Sequence, residues 1–432
     1  MKSYLLNNIS IFVEKFVPGG EALGTLSAPN SPENGKKVFL WNALPGEIIT
    51  EYNITKQKSR YIEAIATAID HPSPHRTEPL DDCFLSTSPW QIISYDYELK
   101  LKQELVVELF REHHIDIPTP DIVTDGHDYH YRNKMEYALY WDNETGKISL
   151  AFHARGSHRK IPITKSSIEH PAIFRAATEI ISDLNRRGEP ARKYQSLLLR
   201  CNQAGEVQGG LYENHQPHPI FPHLTDTILG HTYSYSPNGF FQINLPVYEL
   251  ALKKIKTHIT TDEVLDLYAG VGTIGLSVAR NKTLTLVECD KYAFGEMTKN
   301  IARIARFEAV RDNGSEIASE PRDNGREQSG SRIELSSNIR AIIAKSENIT
   351  NYINNKQTII LDPPRSGCDK KLIDKLNEIK PTIVIYLSCN PATQARDVKM
   401  LLENYQITQV KTFNFFPHTP HIENLVILQK SC

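Results

Sequence analysis

Cys389, in the segment YLSCNP, is the residue of this chain best placed to do covalent chemistry. It follows the apolar, β-branched run Ile383–Leu387, which reads as a buried strand, and precedes a turn made by Asn390 and Pro391. A cysteine at the C-terminal edge of a strand is displayed rather than stowed, and its thiolate is a nucleophile. The competing reading is a small buried hydrophobe, the commoner fate of a lone cysteine. Arg365 and Arg396 are the cations whose proximity would lower its pKa.

Two carboxylates share this half of the chain. Asp362, in LDPPRSG, follows a strand, and the proline after it keeps it out of helical geometry, so it is held at a sheet edge. A turn-forming Asp before Pro is the alternative. Glu423, in PHTPHIENLVIL, stands just before the last apolar strand, where it would take a proton from a substrate held by Cys389 or else be a solvated turn residue. His418 and His421 nearby are rival bases or metal ligands, but no further ligand cluster accompanies them and no metal is expected.

The third element is a strand-to-helix turn, LDLYAGVGTIG at Leu265–Gly275. Gly270 and Gly272 permit a tight turn and close approach of a ligand, and the next strand ends in Glu288, a carboxylate suited to both hydroxyls of a ribose. A glycine turn that only packs helix on strand is the plain alternative. The acidic residue inside the first strand, Asp266, and Thr273 at the helix start favour S-adenosylmethionine over a dinucleotide, and no GxxxxGK[ST] phosphate loop is present.

The elements that must position these residues read as an α/β half. From about residue 261, strands and helices alternate: Val264–Leu267, Thr273–Arg280, Leu284–Glu288, Phe294–Arg306, then Arg340–Ala344, Thr358–Leu361, Ile383–Leu387 and Leu425–Leu428. This predicts a parallel, doubly wound sheet with helices on both faces. A polar tract at about 308–337, carrying RDNG at Arg311–Gly314 and again at Arg322–Gly325, reads as a surface insertion. Residues 1–70 show short alternating runs, Ile9–Phe16, Lys37–Leu40, Glu47–Ile54 and Tyr61–Ile69, between PGG, NG and PG turns, the pattern of a small β-barrel. HPSPHRTEP at His71–Pro79 reads as a linker. Residues 80–235 read as mixed α+β, with a helix over Tyr97–Arg111, a hairpin of Glu136–Trp141 and Lys147–His153, strands at Ser196–Asn202 and Val207–Tyr212, and an unassigned stretch from Glu213 to Gln242.

Composition narrows the classes. The chain has 432 residues, 40% of them hydrophobic, enough for two or three domains with sizeable cores. With 49 Lys+Arg against 51 Asp+Glu, bulk charge does not explain nucleic-acid binding, although a local patch would. Lys134 and Arg132 in YRNK, and Arg155 in ARGSHRK, form the best such patch. Six scattered cysteines without CxxC pairs fit a reducing, cytoplasmic setting rather than a disulfide framework. No signal peptide, membrane span or obligate protein partner is expected.

Taken in order, YRNKMEY, FFQIN at Phe240–Asn244, LDLYAGVGTIGL, LDPPRSG, SCNPATQARD and PHTPHIENLVIL resemble the RNA uracil-5-methyltransferase family. The first module, VEKFVPGGEALGTL through LPGEIITEYNITK, is similar to the TRAM domain, a small RNA-binding barrel. The resemblance implies a Rossmann-like methyltransferase domain at 236–432, a TRAM-like barrel at 1–70 and an RNA-binding central domain at 80–235. It implies that Cys389 adds to uracil C6, that Glu423 removes the C5 proton, and that Gln242, Tyr268, Thr273, Glu288 and Asp362 contact S-adenosylmethionine or the target base. The TRAM-like module tilts the expected substrate towards 23S rRNA, with tRNA the runner-up. Some members of the family carry an iron–sulfur cluster on four cysteines; here DDCFLSTSPWQ keeps only Cys83, with Ser86 and Ser88 where sulfur would be needed, so no cluster is expected.

Two other classes compete. An amino-group methyltransferase can also carry a DPP-type motif, but it needs neither a thiol nucleophile nor a late base. A catalytically silent RNA-binding protein would need neither SCNP nor HIEN.

Overall fold

The computed structural model describes residues 10–29, 31–313, 332–334 and 338–431. Most of the RDNG tract lies outside them.

The N-terminal strands β1 (Ser10–Phe16), β2 (Ala22–Ser27), β3 (Lys37–Trp41), β4 (Ile48–Gln57) and β5 (Tyr61–His71) close into a barrel in the order β1-β2-β3-β5-β4. Alternate residues point inward, among them Ile11, Val13, Val38, Leu40, Ile62 and Ala64, all buried. Strand β2 carries no β-branched run and was not expected from the sequence. Its Gly24 explains the composition: a Cβ there would lie 2.6 Å from Ile11 Cγ2 and 2.7 Å from the Phe12 carbonyl. The expected linker at His71–Pro79 is docked, not loose. Arg76 donates to both carboxylate oxygens of fully buried Glu47, each at 2.7 Å, and Glu47 also accepts the N–H of Leu44 and Ser73.

After one turn of helix, α1 (Phe84–Thr87), the long helix α2 (Tyr95–Glu112) buries Leu101, Leu105, Val106, Leu109 and Phe110 along one face. A short strand β6 (Ile122–Val123) follows. Strands β7 (Lys134–Asp142), β8 (Lys147–His153), β9 (Lys160–Pro162), β10 (Tyr194–Cys201) and β11 (Val207–Glu213) form a sheet in the order β11-β10-β7-β8-β9. Helix α3 (Pro171–Arg187) packs on it through Ile173, Ala177, Ile181 and Leu184. The stretch left unassigned holds a hairpin, β12 (Leu224–Ile228) and β13 (His231–Tyr235). Although 235 was the expected boundary, this hairpin packs into the core of the next unit: Asn300 bonds Ser234 through both its N–H (2.8 Å) and its carbonyl (3.1 Å).

That unit comprises α4 (Leu245–Lys256), β14 (Glu263–Leu267), α5 (Thr273–Ala279), β15 (Thr283–Glu288), α6 (Lys291–Asn313), β16 (Arg332–Glu334), β17 (Ile339–Ile343), β18 (Thr358–Leu361), α7 (Lys370–Ile379), β19 (Ile383–Ser388), α8 (Pro391–Leu401), β20 (Tyr405–Phe413) and β21 (Glu423–Lys430). Its eight strands, joined at one edge by β6, make a nine-stranded sheet in the order β16-β17-β15-β14-β18-β19-β21-β20-β6. The five central strands are parallel, as alternation predicts. The expectation of an all-parallel sheet is corrected at both ends: β21 is antiparallel to β19 and β20, and β16 to β17. No helix separates β20 from β21, and without a crossover the second strand must return antiparallel. From β14 the chain runs outward through β15 and β17, then returns to β18 on its other side. The crevice at the C-terminal ends of β14 and β18 is therefore the switch point where ligands bind in such sheets.

Candidate active site

Three turns converge at that edge. In the first, β14 ends at Leu267 and the chain reverses through Tyr268, Gly270 and Gly272, with φ of +64°, +57° and +87°. Gly272 caps α5, and Thr273 is buried behind it. A Cβ on Gly270 would meet open space, so this glycine faces the crevice rather than the core. Gly275, by contrast, lets helix approach strand: its N–H donates to Asp266 at 2.8 Å, and a Cβ there would strike Leu286 and Asp266. Glu288, at the end of β15, accepts the N–H of Gly270 (2.8 Å), Cys289 (2.7 Å) and Asp290 (2.7 Å), which aims its carboxylate along the same edge.

The second and third turns are bolted together. The carbonyl of Arg365, in LDPPRSG, accepts the side-chain N–H of Asn390 at 2.8 Å and the hydroxyl of Thr393 at 3.1 Å. Asp397 of α8 accepts the N–H of Cys368 and the hydroxyl of Tyr386, both at 2.8 Å. Asn390 itself caps α8, and Pro391 opens it. These bonds hold Asp362 and Cys389 at neighbouring strand ends.

Glu423 arrives from the opposite direction. The antiparallel ladder ends with Ser388 paired with Asn424, so Cys389 and Glu423 are the next residues of the two segments at that edge. Glu423 is buried, and burial followed by the neighbouring Asp362 pushes its carboxyl well above the usual range. Burial also raises Asp362. The half-buried Cys389 thiol is pushed up to about 11 by burial, with Glu423 and Asp362 adding to the rise and Arg365 opposing it. Of the two arginines weighed as its neighbours, Arg365 is the one beside it. Arg396 instead pairs with Asp397 at 2.7 Å.

A cleft of about 620 Å³ runs along the ends of β14, β15, β17 and β18, with Tyr268, Cys289, Lys345, Pro364 and Cys368 in its walls. Neither Cys389 nor Glu423 lines it. Gln242 lies apart from these strand ends in sequence, yet its segment is gripped by the central sheet. Asn133 donates to the Gln242 carbonyl at 3.0 Å, and fully buried Arg200 donates to the carbonyls of Gly239 and Phe241. Arg200 was not anticipated; a lone arginine inside the apolar run LLLRC was its only signal.

The residues put forward as a basic patch have local partners. Lys134 donates to the carbonyls of Asn238 (3.0 Å) and Gly239 (3.2 Å), and burial pulls its ammonium down to about 8. Arg132 donates to the Lys134 carbonyl at 3.0 Å. Arg155 lies 3.9 Å from the Trp41 ring and donates to the Leu85 carbonyl. His421 is pushed down to about 4 by burial and by Arg365, so it is neutral at pH 7 and accepts from that arginine at 3.3 Å. His418 sits between Glu98 and Asp128. Among the described residues, no group of three or more His, Cys, Asp or Glu side chains is arranged to hold a metal ion. Cys83 is buried, and in the same segment Gln91 donates to Ser88 at 2.6 Å and to Asp81 at 2.9 Å.

Residues 228–431 match the family model described as tRNA (Uracil-5-)-methyltransferase. This catalytic half belongs to the RNA uracil-5-methyltransferase family. The likeness extends over nearly the whole chain. An uncharacterized RNA methyltransferase of Lactiplantibacillus plantarum is 27% identical over 95% of this chain and 95% of its own. One from Synechocystis is 26% identical over 92% and 91%. Among solved structures, the Pyrococcus abyssi tRNA (uracil-54, C5)-methyltransferase in complex with S-adenosyl-L-homocysteine superposes with a TM-score of 0.67, covering 96% of this chain and 99% of that one, at 21% identity. That likeness speaks for the fold. The protein is an S-adenosylmethionine-dependent RNA methyltransferase.

The site suits that cofactor. Asp266, Asp362 and Glu423 are all raised carboxyls, and Asp266 leaves one buried oxygen without a partner. A ligand bearing a sulfonium and an ammonium relieves the mutual repulsion of such a cluster. Among the described residues, no helix of the methyltransferase is long and apolar enough to cross a membrane.

Proposed function

We propose that the methyltransferase modifies C5 of a specific uridine in 23S rRNA through a covalent bond between Cys389 and uracil C6. The observation that carries this reading is the nearness of Cys389 to Glu423, Asp362 and Arg365, each of which acts on its thiol, at the end of the β19–β21 ladder. Uracil C5 is a weak nucleophile. The Cys389 thiolate adds to C6 and pushes electrons through C5 towards the O4 carbonyl, where Arg365 is the nearest cation able to favour the thiolate. S-adenosylmethionine supplies an electrophilic methyl group. Once C5 is methylated, Glu423 takes the C5 proton, the C5–C6 double bond re-forms, and the C6–S electron pair returns to Cys389. A raised carboxyl suits this step, because once ionised it is a stronger base than an ordinary Glu. In this reading Tyr268, Gly270, Gly272, Thr273, Glu288 and Gln242 hold the cofactor, and Asp362 faces the base or the cofactor's charged end. The target uridine must be unstacked, from a loop or by flipping.

The barrel at residues 1–70 and the domain at 80–235 are assigned to RNA binding, and the barrel supports the rRNA choice. A tRNA substrate is the second reading, favoured by the family model's description and by the activity named for the Pyrococcus neighbour. The test is mass spectrometry of the enzyme with S-adenosylmethionine and 5-fluorouracil-substituted ribosomal or transfer RNA. Fluorine does not leave as a proton does, so an adduct on Cys389, lost in Cys389→Ala, is the expected result, and the RNA trapped names the substrate. No adduct with either RNA, despite cofactor binding, sinks the covalent reading.

A further inference from the structure

Residues 414–422, between β20 and β21, form the loop that delivers Glu423, and they are held from outside the catalytic sheet. Helix α2 contributes a fully buried ion pair, Glu98 and Lys102 at 2.7 Å. Glu98 accepts the N–H of His418 at 2.9 Å, while Lys102 donates to Asn414 at 2.7 Å and to the Phe416 carbonyl at 3.0 Å. Tyr131 donates to the Pro417 carbonyl at 3.0 Å. His418 is 3% exposed, adopts φ +58°, and lies against Tyr129 at 4.3 Å between ring centroids. An L residue tolerates that backbone only where its surroundings over-determine it.

The fourth hold comes from the N-terminal barrel. Trp90, 1% exposed, donates its backbone N–H to the His418 carbonyl at 3.0 Å and its indole N–H to the Gly20 carbonyl at 3.1 Å. Gly20 belongs to the PGG turn between β1 and β2. Its φ is +93°, and a Cβ there would lie 2.3 Å from Pro420 Cβ and 2.4 Å from Pro420 Cγ. The barrel turn and the base-carrying loop therefore touch with no room for a methyl group.

We infer that the N-terminal barrel is a positioning part of the catalytic centre: through Gly20, Trp90 and Pro420 it sets the place of Glu423. The inference rests on the proposed role of Glu423 as the base that ends the reaction. Its signature follows from the order of steps. Addition of Cys389 and methylation come before the C5 proton leaves, so a displaced Glu423 slows only proton removal and the breaking of the C6–S bond. A shift of about 1 Å in a reacting group costs on the order of 100-fold in rate. A buttress of this kind, when loosened, makes the enzyme stall as methylated adduct on ordinary RNA.

The experiment uses the full chain, unmodified RNA and radiolabelled S-adenosylmethionine, and reads both steady-state turnover and label retained in protein–RNA complexes on a denaturing gel. Glu423→Gln, at the base itself, tests the underlying reading: it should trap labelled adduct with almost no turnover, and the absence of adduct in that variant overturns the base assignment and this inference with it. Given that adduct, Gly20→Ala is expected to lose about tenfold or more in turnover, by the same positional argument, while forming adduct at the wild-type rate and accumulating it. Wild-type turnover in Gly20→Ala, or a parallel loss of adduct formation and turnover, overturns the inference. Should Gly20→Ala fail to unfold cooperatively, Trp90→Phe, which keeps the ring packing and removes the bond to Gly20, is judged by the same criteria.

Discussion

At the scale of single residues, charge decides how the site behaves before substrate arrives. With the Cys389 thiol pushed up to about 11, the ligand-free enzyme should react slowly with iodoacetamide at pH 8, at a rate that climbs towards pH 11. Peptide mass spectrometry of alkylated Cys389 checks this; a rate at pH 8 already as fast as at pH 11 would mean that the thiol is not held protonated. Asp266, buried and pushed up to about 8, sets a second expectation. Its folded-state pKa lies above the unfolded value, so the stability it contributes is complete below about pH 4 and is lost as pH rises through about 8. The Tm of the ligand-free protein should fall between pH 5.5 and 8.5, and fall less in Asp266→Asn. Equal falls in the two proteins would count against a protonated Asp266.

At the scale of elements, the β19–β21 register depends on a buried polar lock. Gln394 of α8 donates to the carbonyls of Tyr386 (2.8 Å) and Asn424 (3.0 Å) and accepts from the Asn424 side chain at 2.7 Å; Thr412 of β20 donates to Asn424 at 3.1 Å. A slip of one residue would turn Glu423 to the other face of the sheet. Asn424→Leu strands the Gln394 side-chain oxygen and the Thr412 hydroxyl, and should cost about 1–3 kcal/mol in urea unfolding for each buried group left unpaired. A cost under about 0.5 kcal/mol, the range of ordinary surface changes, would show that the lock is idle. Much of this architecture was legible in sequence, because strand-turn motifs announce themselves: SCNP, DPPRSG and AGVG all sit at strand ends. Several elements were not, the β12–β13 hairpin among them. β2 hides behind Gly24, β20 has a broken apolar pattern, and α3 went unread although Pro171 at its start and Gly188 at its end mark it. For Lys134, Arg132 and Arg155, sequence shows the charge but not the backbone carbonyl that each also meets. Glu98 and Lys102 gave no signal of burial, since an i,i+4 pair on a helix has the same spacing buried or exposed.

At the scale of the molecule, the barrel is fastened at several points rather than tethered. The Arg76–Glu47 pair seals the connector to β4 and its approach. Arg76→Met leaves a buried carboxylate without its cation and should destabilise the fold by about 3–5 kcal/mol, with faster hydrogen exchange in residues 44–47 and 73–77. Protection equal to wild type in those segments would show that the pair is dispensable. The contact between Gly20 and Pro420 joins residues near opposite ends of the chain, and contacts of such separation are late to form because a long loop must close first. On the proposed role of Glu423, a nascent chain can hold a complete barrel and most of a complete sheet and still lack its proton acceptor's seat. Competence then comes only when the last strand is threaded home against the first-made domain, so that an unfinished or wrongly closed enzyme is kept from the final chemical step on RNA.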